Sequence, residues 1–112
     1  MLLVHSDEVS AEKSVEVELK SLIGSDVIPE GRTVLGTVSI PPGIRFPMQG
    51  SGVHEQDEYS YIVKGSLLMG TGETEYRVNT GDATLIPAGE AHWVYNDGNE
   101  EVLVIWTLVS RG

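Results

Sequence analysis

Glycine and proline punctuate this chain so densely that the apolar stretches between them have the length of strands rather than helices. The 112 residues include 13 glycines and 5 prolines. The intervals they leave run from Val15 to Ile23, Thr33 to Ile40, Glu58 to Lys64, Ser66 to Met69, Glu73 to Val78, Ala83 to Pro87, His92 to Tyr95 and Glu101 to Val109. Each is rich in β-branched or aromatic residues and reads as a strand. Between them stand turn sequences such as Pro41-Pro42-Gly43, Gly70-Thr71-Gly72, Asn79-Thr80-Gly81-Asp82 and Asn96-Asp97-Gly98-Asn99, whose residues favour tight reversals. Many short strands at regular spacing predict an all-β sandwich or barrel. The one helical signal, Ser6 to Lys13, is too short to stand alone.

Patterning within the strands assigns faces. Val15-Glu16-Val17-Glu18-Leu19-Lys20 alternates apolar with charged residues, as expected of an outer strand with one face on a core and one in water. Glu101 to Val109 is apolar at nearly every position, as expected of a strand covered on both faces. A single barrel covers only one of them, so the second cover is expected from another subunit.

The chain has the size of a single domain, residues 1–112, able to enclose one core. Seventeen acidic against seven basic side chains give a formal charge of -10, which opposes contact with nucleic-acid phosphates or an anionic membrane; neither is expected as a partner. With no cysteine, thiolate metal sites, Fe–S clusters and cysteine nucleophiles are excluded, and any metal must sit on nitrogen and oxygen. Met1 to Val4 is far shorter than a signal-peptide core, and a cytoplasmic location is expected.

Three histidines occur, His5, His54 and His92. His5 lies near a polar terminus and reads as a surface residue. His54 precedes Glu58 by four positions, and an even spacing in extended chain sends both side chains to one face, with Ser60 and Ile62 continuing it. A buried imidazole and carboxylate need a partner, and a divalent cation satisfies both. His92 would join them from a distant strand. Tyr59, Tyr61 and Val63 have the opposite parity and are expected outside the interior, as core or interface.

The surrounding glycines and prolines sharpen this. Gly81, Pro87, Gly89, His92 and Asn96 spell G-x5-P-x-G-x2-H-x3-N, and His54, Glu58 and Gly65 spell H-x3-E-x6-G. The first resembles the second signature motif of the cupin superfamily at every fixed position; the other resembles the later part of its first motif, G-x5-H-x-H-x3,4-E-x6-G. The resemblance covers about Ile40 to Trp106. It implies a single-domain cupin barrel, a double-stranded β-helix or jelly roll, with its conserved core over about 33–109 and outer strands contributed by 1–32. It also implies one divalent transition metal, iron, manganese, nickel or zinc, held by His54, Glu58 and His92.

The chain departs from the family where the first motif has its first histidine, because the residue two before His54 is Gly52, and the preceding loop is longer than the motif's. Gln49, Glu55 or water is left to fill the vacant ligand position. No G-x-S-x-G elbow, H-E-x-x-H or phosphate-loop ending accompanies these residues.

The resemblance implies a metal-dependent enzyme acting on a small organic molecule by oxygenation, isomerisation or lyase chemistry, with Glu55, Tyr76 or Tyr95 as candidate acid or base. The alternative is a non-catalytic cupin module that binds a sugar or small acid. Cupins commonly pair through their outer sheets, so a homodimer is expected, in agreement with the two-sided apolar character of Glu101 to Val109.

Overall fold

Alternation of side chains along extended chain decides how these strands pack. The computed structural model describes residues 1–13 and 16–111, and over them nine strands form two antiparallel sheets. The larger sheet contains β1 (Glu18–Ile23), β2 (Thr33–Ile40), β4 (Gln56–Lys64), β7 (Ala83–Ile86) and β9 (Val102–Ser110), in the spatial order β1-β2-β9-β4-β7. The smaller contains β3 (Arg45–Phe46), β5 (Ser66–Thr71), β6 (Thr74–Asn79) and β8 (His92–Tyr95), in the order β3-β8-β5-β6. Strand β9 lies at the centre of the larger sheet, paired along its length with β2 and β4.

The inward faces of the two sheets meet in one core. Ile40, Ile62, Leu67 and Val102 are almost wholly buried, and Val17, Met69, Val78, Ile86 and Val104 complete the cluster. Each buried aliphatic side chain contributes about 1.5–3 kcal/mol relative to exposure. Trp106 is accommodated by Gly36, its cross-strand partner. A Cβ at Gly36 would lie 2.2 Å from the indole Cζ2 and 2.3 Å from the Lys20 carbonyl oxygen. Only glycine therefore lets the ring lie against β2.

The strand boundaries agree with the sequence reading to within a few residues, with informative differences. The first strand begins at Glu18 rather than Val15, and Ser14 and Val15 lie outside the described residues. The helical signal at the N-terminus is a single 3-10 turn, Ser6–Glu8. Strand β3 was not expected: two residues between Gly43 and Pro47 are too few to show a period. Strand β9 buries Val102, Val104 and Trp106 but leaves Ile105 40% exposed. Within this chain it is thus covered on one face only. Among the described residues no helix is long and apolar enough to cross a membrane.

Candidate metal centre

Three contacts bring the two histidine-bearing segments together. Gly52 forms an isolated antiparallel bridge with His92. The turn before β8 is anchored on the segment entering β4, where Gly89 N–H donates to the His54 carbonyl (2.8 Å) and Ala88 N–H to Asp57 Oδ1 (2.8 Å). Gly89 takes a left-handed φ of 84°, which favours glycine. Arg111 holds Asp57 from the other side, with Nη2 2.7 Å from Oδ1. That guanidinium, followed by the Ala88 amide, keeps the Asp57 carboxyl below its ordinary pKa, so it stays a charged acceptor for the turn.

On this frame His54, Glu58 and His92 converge, and one ligand atom from each lies within 4.8 Å of the others. His54 Nε2 stands 3.4 Å from Glu58 Oε1, and the two imidazole rings meet edge to face with centroids 5.0 Å apart. Glu58 sits on β4, opposite Leu108 on one side and Ile86 on the other. The spacing expectation therefore holds, with Glu58, Ser60 and Ile62 on one inward face.

The hydrogen bonds of the rings fix what they present. His54 Nδ1 is 2.8 Å from the Gln56 carbonyl oxygen, and His92 Nδ1 is 3.0 Å from that of Glu90. A carbonyl only accepts, so each Nδ1 carries a proton, and in the neutral form each ring offers a lone pair at Nε2. Metal-binding histidines are commonly oriented this way. His54 Nε2 is buried and without a hydrogen-bond partner. In the neutral form its lone pair faces a carboxylate oxygen, a meeting of two acceptors that a proton or a metal cation between them reverses. The three groups thus fit a divalent ion and are close enough to hold one.

The centre lies in the wall of a cavity of about 350 Å³ between the sheets, lined mainly by aliphatic side chains and by Phe46 and Trp106. Gly52 lines it too, next to the histidines. Gln49 does not reach it; the residue is exposed on the bend before Gly52. Glu55 is exposed, Tyr76 is 53% exposed, and neither they nor Tyr95 line this cavity. The acid and base candidates read from the sequence are therefore not placed there. His5 is exposed, as expected. Sequence reasoning missed Trp106 as a wall residue; its even-numbered parity with Val104 and Leu108 along β9 was the available signal.

The fold is thus a two-sheet barrel in which two imidazoles and a carboxylate converge on one point of the interior. The family model described as Cupin domain matches residues 36–108, and the chain belongs to that family. Its fold is similar to that of a predicted oxalate decarboxylase from Thermotoga maritima, with a TM-score of 0.85 and 20% identity over 98% of this chain and 100% of that one. It is also similar to the polyketide cyclase RemF from Streptomyces resistomycificus, with a TM-score of 0.79 and 23% identity over 99% of this chain and 80% of that one. A stretch of 30 residues is 47% identical to part of the 11S globulin seed storage protein 2 of Sesamum indicum. That stretch is 27% of this chain and only 6% of the seed protein's length.

Proposed function

We propose that the protein is a metal-dependent enzyme in which His54, Glu58 and His92 hold one divalent transition metal and a small organic substrate binds beside it in the cavity. The observation that carries this reading is the buried, unpartnered Nε2 of His54 facing the Glu58 carboxylate, with both Nδ1 protons already committed to carbonyl oxygens.

When bound, the ion would supply Lewis acidity to an oxygen of the substrate. The chain's own groups do the rest. The Gln56 and Glu90 carbonyls keep both rings in the tautomer that offers Nε2, and Glu58 adds the negative charge that draws a cation between them. Three protein ligands leave coordination positions free, and Gly52 brings no side chain into that space. The apolar walls keep water away from a substrate and strengthen electrostatic contacts with it.

The outer face of the larger sheet exposes Tyr59, Tyr61, Leu85 and Ile105, which adjoin through the pairs Tyr59 with Leu85 and Tyr61 with Ile105. A homodimer through this face supplies the second cover that β9 lacks within one chain.

The reading is tested by reconstituting the protein with Fe(II), Mn(II), Ni(II) or Zn(II) and following product formation over a panel of small organic substrates. Substrate-dependent oxygen uptake identifies an oxygenase; product without oxygen uptake identifies an isomerase or lyase. Tight binding across the panel with no product would replace the enzyme by a binding module.

A further inference from the structure

The chemistry of the cavity wall narrows what can bind there. We infer that its ligand is a predominantly apolar molecule that brings one negatively charged oxygen to the centre, and that dianionic small acids and phosphorylated molecules are disfavoured. This rests on the metal-centre reading above.

Two observations carry it. First, among the described residues lining the cavity there is no lysine or arginine; away from the centre the wall is made by side chains such as Leu19, Val38, Ile40, Phe46, Val104 and Leu108, and its polar side chains there are the neutral Ser60 and Trp106. Arg45, near in sequence, is engaged elsewhere, its guanidinium 4.8 Å from the Trp93 ring centroid and donating to the Pro47 carbonyl. A phosphate or second carboxylate would therefore meet hydrocarbon, an uncompensated burial of charge.

Second, the charges at the centre balance for one negative charge on the ligand. As ligands to a metal both imidazoles are neutral, their Nδ1 atoms donating to carbonyls, and Glu58 is a carboxylate with one negative charge. Against a divalent cation this leaves one positive charge. A monoanionic ligand cancels it, whereas a dianion such as oxalate leaves a net negative charge in an apolar cavity of a chain already at -10. Neutral sites are the ones a low-dielectric interior tolerates. The space, about 350 Å³, matches about a dozen water-sized groups at ~30 Å³ each, enough for a ring beside a chelating head.

The test uses isothermal titration of zinc-loaded and metal-free protein with acetylacetone, benzoylacetone and oxalate, with zinc content measured before and after. The first two share one chelating head and differ by a phenyl group, whose burial is expected to tighten binding roughly ten- to hundredfold. Benzoylacetone should also bind zinc-loaded protein more tightly than oxalate does. Val38→Phe, which fills the cavity away from the ligands, should remove the phenyl advantage and leave zinc content unchanged; Leu19→Phe serves if melting shows that Val38→Phe is misfolded. Normal zinc uptake with oxalate bound as tightly as benzoylacetone, or with no gain from the phenyl group, would overturn the inference and leave the metal centre standing. No zinc uptake, with benzoylacetone still bound to metal-free protein and lost in Val38→Phe, would sink the metal-centre reading and support the apolar selectivity alone.

Discussion

Gly52 and His92 are tied backbone to backbone, Gly52 N–H donating to the His92 carbonyl at 2.8 Å and His92 N–H to that of Gly52 at 3.0 Å. The position where the family motif carries its first histidine is thus fixed beside a proposed ligand, although glycine supplies none. A Cβ there would meet nothing closer than 3.9 Å. Gly52→His should therefore fold normally and add a fourth ligand. Since structural zinc sites gain about 10–16 kcal/mol from four ligands, even a strained extra imidazole should tighten metal binding by at least about tenfold. Competition with a metal-binding dye measures it.

Asn96, the last residue of the second motif, serves the fold. It is fully buried, its Nδ2 donates to the Ile40 and Glu100 carbonyls at 2.9 and 2.7 Å, and its Oδ1 accepts from Gly98 N–H. Asn96→Ala strands these groups and should cost about 2–4 kcal/mol. Urea unfolding checks it, with metal stoichiometry of the folded fraction expected to be unchanged.

Acid should weaken one specific tie. Arg77 on β6 holds Asp97 in the loop after β8, with Nη1 2.8 Å from Oδ1. Its hydrogen bond keeps the Asp97 carboxyl below its ordinary pKa, overcoming the opposing effect of burial. A lowered folded-state pKa means that the stabilisation is present above the ordinary carboxylate range and is lost as pH falls through that range to the folded value. The melting temperature of wild type should exceed that of Asp97→Asn at about pH 7, and the gap should shrink as pH falls through and below the ordinary carboxylate range.

The exposed outer sheet predicts association. Light scattering should give the mass of two chains for wild type. Tyr61→Lys with Ile105→Glu places charges on neighbouring strands of that face and should give one chain with cavity and metal content intact.

Much of the candidate site was legible because strand parity and motif spacing act on neighbouring residues. The four-residue step from His54 to Glu58 put both on the inner face, and the outward parity of Tyr59 and Tyr61 was equally plain. Glu55 could have been set aside on the same ground, being one step out of phase with His54. Gln49 could not, because it lies on a bend with no period to read, and only the fold shows it pointing into solvent. Strand β3 escaped for a related reason: Arg45 and Phe46 become a strand by pairing with Tyr95 and Val94, a long-range contact that two residues cannot announce. The carbonyls of Gln56 and Glu90 that orient the imidazoles are backbone groups, and side-chain patterns do not reveal them.

The most direct measurement is the metal content, by mass spectrometry, of protein purified without chelators, compared with His54→Ala and His92→Ala. Close to one transition-metal ion per wild-type chain, falling in both variants to less than about a tenth while their folds persist, is the expected result. Wild-type protein that takes up no metal after reconstitution, or variants that retain it fully, would contradict the assignment of these side chains to a metal centre.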